Sequence, residues 1–163
     1  MYKDYIIEVP NFPIKGVNFK DISPLLSDHR TFRSAVADMG RLVKNPDYWV
    51  GIDARGFIFA SALSMVYGGG VVMCRKKGKL PRPVLSYGYT KEYGVDRLEI
   101  KEGSGNVVIV DDVLASGGTL QVVNNLVENA GYTVKDNLVL IDLKYVPTIV
   151  DFTLDVKSLV QYE

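Results

Sequence analysis

The chain has 163 residues, a length that predicts one domain with a full hydrophobic core. Hydrophobic residues make up 47% and charged residues 23%, as in ordinary globular proteins. The 19 Lys and Arg residues balance the 19 Asp and Glu residues, which argues against a general nucleic-acid coat or a protein that binds anionic membranes.

Hydrophobic periodicity predicts alternating helices and strands. The first segment, Val9 to Leu26, is rich in Pro, Gly and aromatic residues and is typical of a structured loop. After this segment, the pattern predicts a helix over 31–44, a strand over 48–53 and a helix over 56–67 that three glycines end. A strand over 71–74 and a basic loop over 75–79 follow.

The second half continues this alternation. The pattern predicts strands over 84–89 and 95–100 around Glu92–Gly94, which together form a flexible hairpin outside the core. An apolar strand over 106–110 is followed by Asp111, Asp112 and a small-residue turn. A helix over 119–130, ended by Gly131, and a buried strand over 138–143 complete the pattern. We therefore expect an α/β fold with a mostly parallel twisted sheet flanked by helices. Ligands bind beyond the carboxyl ends of such strands, where Asp53–Arg55, Arg75–Lys76 and Asp111–Asp112 lie.

The single cysteine and the single histidine restrict the chemistry. Cys74 cannot form an intrachain disulfide, and we expect a cytoplasmic protein in which this residue is a small buried hydrophobe. His29 alone cannot build a Cys/His metal cluster, so any metal should be a hard cation with oxygen ligands. No signal peptide and no apolar run near the ~20 residues of a membrane span is present, so we expect no membrane association.

The segment from Val107 to Thr119 carries the strongest functional pattern: an apolar strand, two acids, a small-residue turn and a helix. Backbone N–H groups of this turn can surround an anion at the positive end of the helix, although the P-loop pattern is absent. The two carboxylates can then accept hydrogen bonds from ribose hydroxyls. In the alternative interpretation, Asp111 and Asp112 only end the strand. The turn consists of Ala115, Ser116, Gly117, Gly118 and Thr119.

This segment resembles the ribose-phosphate motif of type I phosphoribosyltransferases. The resemblance implies that residues 115–119 bind the 5-phosphate, while Asp111 and Asp112 bind the 2- and 3-hydroxyls. Further segments resemble those of adenine phosphoribosyltransferases: Asn11–Leu26 is similar to the base-covering segment, Gly51–Phe57 to the pyrophosphate loop, Arg75–Pro81 with Glu92–Gly94 to the catalytic loop, and Gln161–Glu163 to the usual end.

The resemblance implies a function in purine salvage. The enzyme would transfer the 5-phosphoribosyl group of phosphoribosyl pyrophosphate (PRPP) to adenine, giving AMP and pyrophosphate. Magnesium (Mg²⁺) would be bound mainly through PRPP, and the enzyme would be a homodimer in which Arg75 acts across the interface. The sequence also allows two alternatives. One is a phosphoribosyltransferase for hypoxanthine, guanine or xanthine, and the other is a non-catalytic regulator that senses PRPP.

The resemblance also implies roles for single residues. Glu92 would manage the proton of the base, with Arg55 and Arg75 as further catalytic residues. The pyrophosphate site would consist of Asp53, Ala54, Arg55, Arg75, Lys76 and Lys79, with a cis peptide bond between Asp53 and Ala54. The base site would consist of Val17, Asn18, Phe19, Lys20 and Val113.

In this base site Phe19 would stack on the purine, and the backbone near Val17 and Asn18 would read its edge. Val113 or Leu114 would pack on the opposite face. Other interpretations are a core aromatic for Phe19, a solvated turn for residues 75–79 and an exposed glutamate for Glu92. Three residues depart from the family pattern, namely Asn18 in place of an apolar residue, Lys20 in place of Arg, and Arg82 in place of Gly.

Overall fold

The computed structural model describes residues 1–91, 94–149 and 155–163. They form a seven-stranded sheet, a separate two-stranded ribbon and four α-helices, with a short 3-10 helix at Tyr2–Tyr5. The elements are β1 (Ile7–Pro10), β2 (Asn18–Asp21), α1 (Ser23–Ser27), α2 (His29–Arg41), β3 (Tyr48–Ile52), α3 (Arg55–Tyr67), β4 (Gly70–Lys76), β5 (Leu85–Lys91), β6 (Gly94–Ile100), β7 (Gly105–Leu114), α4 (Gly118–Asn129), β8 (Tyr132–Leu143) and β9 (Val156–Tyr162).

The large sheet confirms the predicted fold class. Its strand order is β5-β6-β4-β3-β7-β8-β9, in which β4, β3, β7, β8 and β9 are parallel and β6 is antiparallel to both β4 and β5. Ile52 pairs with Cys74 and Gly51 pairs with Val110, so that the strands β3, β4 and β7 end at the same edge. The three predicted polar strand ends therefore meet there.

A hydrophobic core fills each face of this sheet. Successive side chains of β7 alternate between the two cores: Val108 and Val110 pack with α2 and α3, while Val107 and Ile109 pack with α4. Cys74 is fully buried, as predicted. In the described part of the chain, no helix combines the length and hydropathy needed to cross a bilayer.

The second helix begins earlier than predicted because it has a side-chain cap. The carboxylate of Asp28 accepts a hydrogen bond from the Thr31 N–H at 2.8 Å, which satisfies one of the free donors of the first turn. The helix therefore starts at His29 and not at Thr31, and it ends at Arg41, before Lys44. His29 is exposed on this first turn.

One prediction about loops was wrong, and one strand was missed. Residues 9–26 are not a loop throughout, because β1 and β2 pair as an antiparallel ribbon and α1 follows them. These elements have only four or five residues each, too few for a period to show. Strand β9 was not predicted either, since it is an edge strand in which most residues are only partly buried.

Several strands extend beyond their predicted ends because neighbouring strands provide hydrogen-bonding partners. Asp111 and Asp112 belong to β7, which continues to Leu114 alongside β8. Arg75 and Lys76 belong to β4 and pair with β6, so the basic loop starts later than predicted. The hairpin was predicted to lie outside the core, but Leu98 of β6 is buried in it.

Candidate active site

The turn between β7 and α4 forms a small cavity at the positive end of the helix. Gly117 has a φ of 87°, a left-handed conformation that favours glycine, and α4 starts at the next residue. The cavity has a volume of about 120 Å³ and opens beside the carboxyl end of β7. It is lined by Asp111, Val113, Leu114, Ala115, Ser116, Gly117, Gly118, Thr119, Leu120 and Val139. The predicted phosphate turn therefore encloses a small cavity at a helix N-terminus, where backbone N–H groups favour anions in general.

The acid pair lies beside this cavity in an environment of low polarity. Asp112 is only 4% exposed, and its Oδ2 lies 2.7 Å from Nε of Arg55. The Asp112 N–H donates a hydrogen bond of 2.9 Å to Oδ1 of Asp111. Burial, followed by the adjacent charge of Asp112, raises the pKa of Asp111 well above its ordinary value. Burial also raises the pKa of Asp112, and the Arg55 guanidinium opposes this shift.

The raised pKa of Asp111 leads to a prediction about stability. Asp111→Asn should increase the free energy of unfolding at pH 7 and raise Tm, by ~2–4 °C for each kcal/mol gained. The Asp111 carboxyl holds its proton more tightly in the folded protein than in the unfolded chain, where its pKa is near 3.8. The stabilising contribution of this carboxyl is therefore complete below the unfolded pKa, and it is lost as pH rises through the folded pKa. Thermal unfolding of both proteins between pH 4 and pH 8 tests this, and a variant less stable than the parent at pH 7 would contradict it.

The pyrophosphate loop joins β3 to α3 at the same edge of the sheet. The peptide bond between Asp53 and Ala54 is cis, as expected, and the next residue, Arg55, begins α3. A Cβ atom on Gly56 would lie 2.6 Å from the carbonyl oxygen of Val110 and 3.3 Å from Oδ1 of Asp111. Glycine at this position therefore lets the start of α3 approach the acid pair closely.

The basic segment contacts this loop from β4. Oδ2 of Asp53 lies 3.5 Å from Nε of Arg75 and accepts a hydrogen bond of 3.3 Å from the Lys76 N–H. Arg75 also lies 5.7 Å from the ring centre of Phe57 and donates a hydrogen bond of 3.3 Å to the carbonyl of Lys79. The structure thus places Arg75 next to the pyrophosphate loop of its own chain, while Lys76 and Lys79 are exposed.

Glu99 was missed in the sequence although it shapes the basic turn. It is 3% exposed on β6, and its carboxylate accepts a hydrogen bond of 3.0 Å from the Gly78 N–H. Because a buried carboxylate is costly unless it is hydrogen-bonded, this contact ties Gly78 of the turn to β6. In the sequence, Glu99 stands between the apolar Leu98 and Ile100. This alternation is also typical of a strand with one exposed face, so it did not indicate that Glu99 is buried.

An apolar pocket of about 570 Å³ lies under the ribbon, next to the start of α3. The Phe19 and Phe12 rings meet edge to face with their centres 5.2 Å apart, and the Arg55 guanidinium lies 4.9 Å from the Phe19 ring. Arg55 therefore contacts both the acid pair and the aromatic wall of this pocket. The lining consists of Val9, Phe12, Phe19, Asp21, Ile22, Ser23, Leu26 and Arg55, of which Phe12 was missed because it resembled a loop aromatic.

The other predicted base residues are not all brought to this pocket. Val17 donates its N–H to the carbonyl of Ile14 at 3.3 Å, and the Asn18 side chain donates to Glu8 at 2.7 Å. The side chain of Lys20 leaves the opposite face of β2 from Phe19, because neighbouring strand residues alternate, and it does not belong to the lining of this pocket.

Two further predicted residues complete the comparison with the sequence. Val113 packs against the core that contains Ile22, on the ribbon side of the sheet, whereas Leu114 packs against the core under α4. Of the two residues predicted to pack on the base opposite Phe19, Val113 therefore lies on the ribbon side of the sheet and Leu114 does not. Glu92, the predicted proton carrier, lies outside the described residues, as does Tyr93.

Comparison with known proteins finds similar proteins of the same kind by sequence and by structure. Residues 33–142 match the model of the phosphoribosyl transferase domain. An adenine phosphoribosyltransferase of Hydrogenovibrio crunogenus is 41% identical over 98% of this chain and 95% of its own length. The crystal structure of an adenine phosphoribosyltransferase from Thermoanaerobacter pseudethanolicus superposes with a TM-score of 0.90 at 39% identity, covering 99% and 98% of the two chains. The Saccharomyces cerevisiae enzyme, complexed with an imino-altritol bisphosphate and adenine, has a TM-score of 0.73 at 30% identity and covers 99% and 86%.

Proposed function

Since this chain belongs to the adenine phosphoribosyltransferase family, we propose that it transfers the 5-phosphoribosyl group of PRPP to adenine in purine salvage. The observation that carries this proposal is the position of Arg55. Its guanidinium lies 2.7 Å from Asp112 and 4.9 Å from the Phe19 ring, so one side chain connects the ribose-phosphate site with the base pocket. The yeast relative bound to adenine and a bisphosphate supports both ligand classes.

The proposed reaction breaks the bond between the anomeric carbon of PRPP and its pyrophosphate oxygen, and forms a bond from that carbon to a ring nitrogen of adenine. Positive charge develops on the ribose, as in glycoside cleavage. Asp111 and Asp112 would hold the ribose hydroxyls and favour this charge, while residues 115–119 would fix the 5-phosphate. Glu92 would accept the proton that the ring nitrogen loses.

The leaving pyrophosphate requires positive charge at the opposite end of the site. Arg55 offers a planar pair of donors, and the exposed Lys76 and Lys79 offer movable point charges. Mg²⁺ would supply further charge at the pyrophosphate oxygens. This ion would be bound mainly through PRPP, with the carboxylates of Asp111 and Asp112 nearby, because Mg²⁺ usually keeps several waters and takes few protein ligands.

We propose further that residues 1–163 act as a single cytoplasmic domain and pair as a homodimer. An exposed apolar surface supports the pairing: Met65 and Val66 of α3 are 86% and 58% exposed, and Met73 of β4 is 44% exposed. Met73 and Arg75 share one face of β4, since strand residues alternate. A second copy on this surface would lie next to Arg75 and would bring it near the partner's pyrophosphate.

A panel of bases tests the proposed activity. We expect the highest kcat/KM with adenine, and values on the order of 10³-fold or more lower with hypoxanthine, guanine and xanthine, because a site built for an amino group leaves buried polar atoms unpaired when an oxo group replaces it. Pyrophosphate release at saturating PRPP measures this. Equal turnover of a 6-oxopurine would overturn the choice of adenine, and binding of PRPP without turnover of any base would favour the regulator.

A further inference from the structure

Lys20 carries the most deeply buried ammonium group among the described residues. Its side chain is 1% exposed, and Nζ lies 2.7 Å from Oε2 of Glu8, its cross-strand partner on β1. Nζ also lies 4.2 Å from the ring centre of Tyr162 and 5.7 Å from that of Tyr145. A desolvated cation needs such partners, and its attraction to an aromatic face increases when water is excluded.

Tyr162 belongs to a different structural layer from Lys20. It lies on β9, the edge strand of the large sheet, where it pairs with Leu143 of β8. Its carbonyl accepts a hydrogen bond of 2.8 Å from the Lys144 N–H, which holds this end of the strand. A second ammonium, that of Lys3, lies 4.7 Å from the same ring. The Tyr162 ring is thus a fixed acceptor for cations on the edge of the sheet.

The ribbon that carries Lys20 needs such a connection. β1 and β2 form a two-stranded sheet of four residue pairs, and an isolated pair of strands is marginally stable at best. Ile6 before β1 and Ile22 after β2 are buried in the core, which anchors the two ends of the ribbon. Between them, Phe19 points to the pocket and Lys20 points to Tyr162, on opposite faces of the same strand.

We propose that Lys20 is a positioning residue for the base site, and that its ammonium on the Tyr162 ring sets the position of the Phe19 ribbon over the pocket. This inference rests on the proposed transfer to adenine. The pair lies on the face of the ribbon that is turned away from the pocket, so it acts on base affinity without touching the base. PRPP is bound by other elements, β7, α3 and α4, and should be affected little.

The test replaces the ring and then the charge. Tyr162→Leu and Lys20→Met should each raise KM for adenine by about 5- to 30-fold, while KM for PRPP and kcat at saturating substrates change by less than about twofold. Tyr162→Phe keeps the ring face and should remain near the parent protein. In the double variant Lys20→Met/Tyr162→Leu, KM for adenine should rise no further than in Lys20→Met alone, because that variant has already lost the contact with the Tyr162 ring.

Lys3→Met is the matched control, because it removes the other cation from the Tyr162 ring and leaves the ribbon intact; its KM for adenine should stay unchanged. The inference is overturned if both Lys20→Met and Tyr162→Leu leave KM for adenine unchanged, if KM for adenine and PRPP rise equally, or if the effects of the pair add. Should Lys20→Met fail to fold, Tyr162→Leu against Tyr162→Phe decides the question alone. A parent protein inactive with adenine would instead refute the proposed function.

Discussion

Asp112→Asn is expected to lower kcat by about 10–10³-fold, the range typical for the loss of one charged group that stabilises a transition state. Asp112 is 4% exposed and lies 2.7 Å from Arg55, so the variant removes both a carboxylate next to the ribose site and the counterion that holds the guanidinium. Because asparagine has the same shape, the fold should survive. Asp111→Asn should lower turnover as well, despite the gain in stability predicted for it.

The control for these variants is Asp142→Asn. Asp142 is 3% exposed at the end of the neighbouring strand β8, and its Oδ2 lies 2.6 Å from Nζ of Lys144. It therefore matches Asp112 in residue type, burial and ion pairing, but it lies outside the proposed ribose site. Steady-state kinetics should show a small effect on turnover for Asp142→Asn. If Asp112→Asn and Asp142→Asn lowered kcat by similar factors, the cause would be the loss of a buried charge in general and not a role in the proposed ribose site.

The local geometry of the proposed ribose-phosphate site could be predicted from the sequence because all of its parts are contiguous. An apolar strand, two acids, four small residues and a helix follow one another from Val107 onwards, so the local order of residues determines the geometry. The sheet edge was predictable for the same reason, since parallel strands place their carboxyl ends together. The ends of β7 and β4 were misplaced, because pairing with β8 extends β7 through both acids and pairing with β6 extends β4 through Lys76.

The apolar pocket proposed for the base could be predicted only in part, because its geometry depends on contacts between distant segments. The Phe19 ring is placed by its contacts with Phe12 and Arg55, the latter 36 positions further along the chain. The direction of Lys20 depends on the register of the short ribbon and on Tyr162, which follows far later in the sequence. Local periodicity contains no information about either contact, and a change of one residue in register would exchange the directions of Phe19 and Lys20.

The proposed sharing of the active site between two subunits leads to the second large effect. Arg75→Ala and Asp112→Asn should each keep at most about a tenth of the parent activity alone. When equal amounts are unfolded and refolded together, about half of the dimers should contain one chain of each kind. If Arg75 serves the site of its partner, each such dimer has one site with both changes and one intact site. About a quarter of all sites, half of the sites in half of the dimers, should then be active.

In the single chain, Arg75 already lies 3.5 Å from Asp53 of its own pyrophosphate loop. This contact gives the mixing experiment two distinguishable results. If Arg75 acts within its own chain, every site in the mixed dimers carries one of the two changes, and activity stays at the level of the separate variants. Native mass spectrometry on chains of different mass establishes that mixed dimers have formed. Recovery of about a quarter of the parent activity in that sample would show that the guanidinium turns away from Asp53 towards the partner, because an intact site then requires Arg75 and Asp112 from different chains.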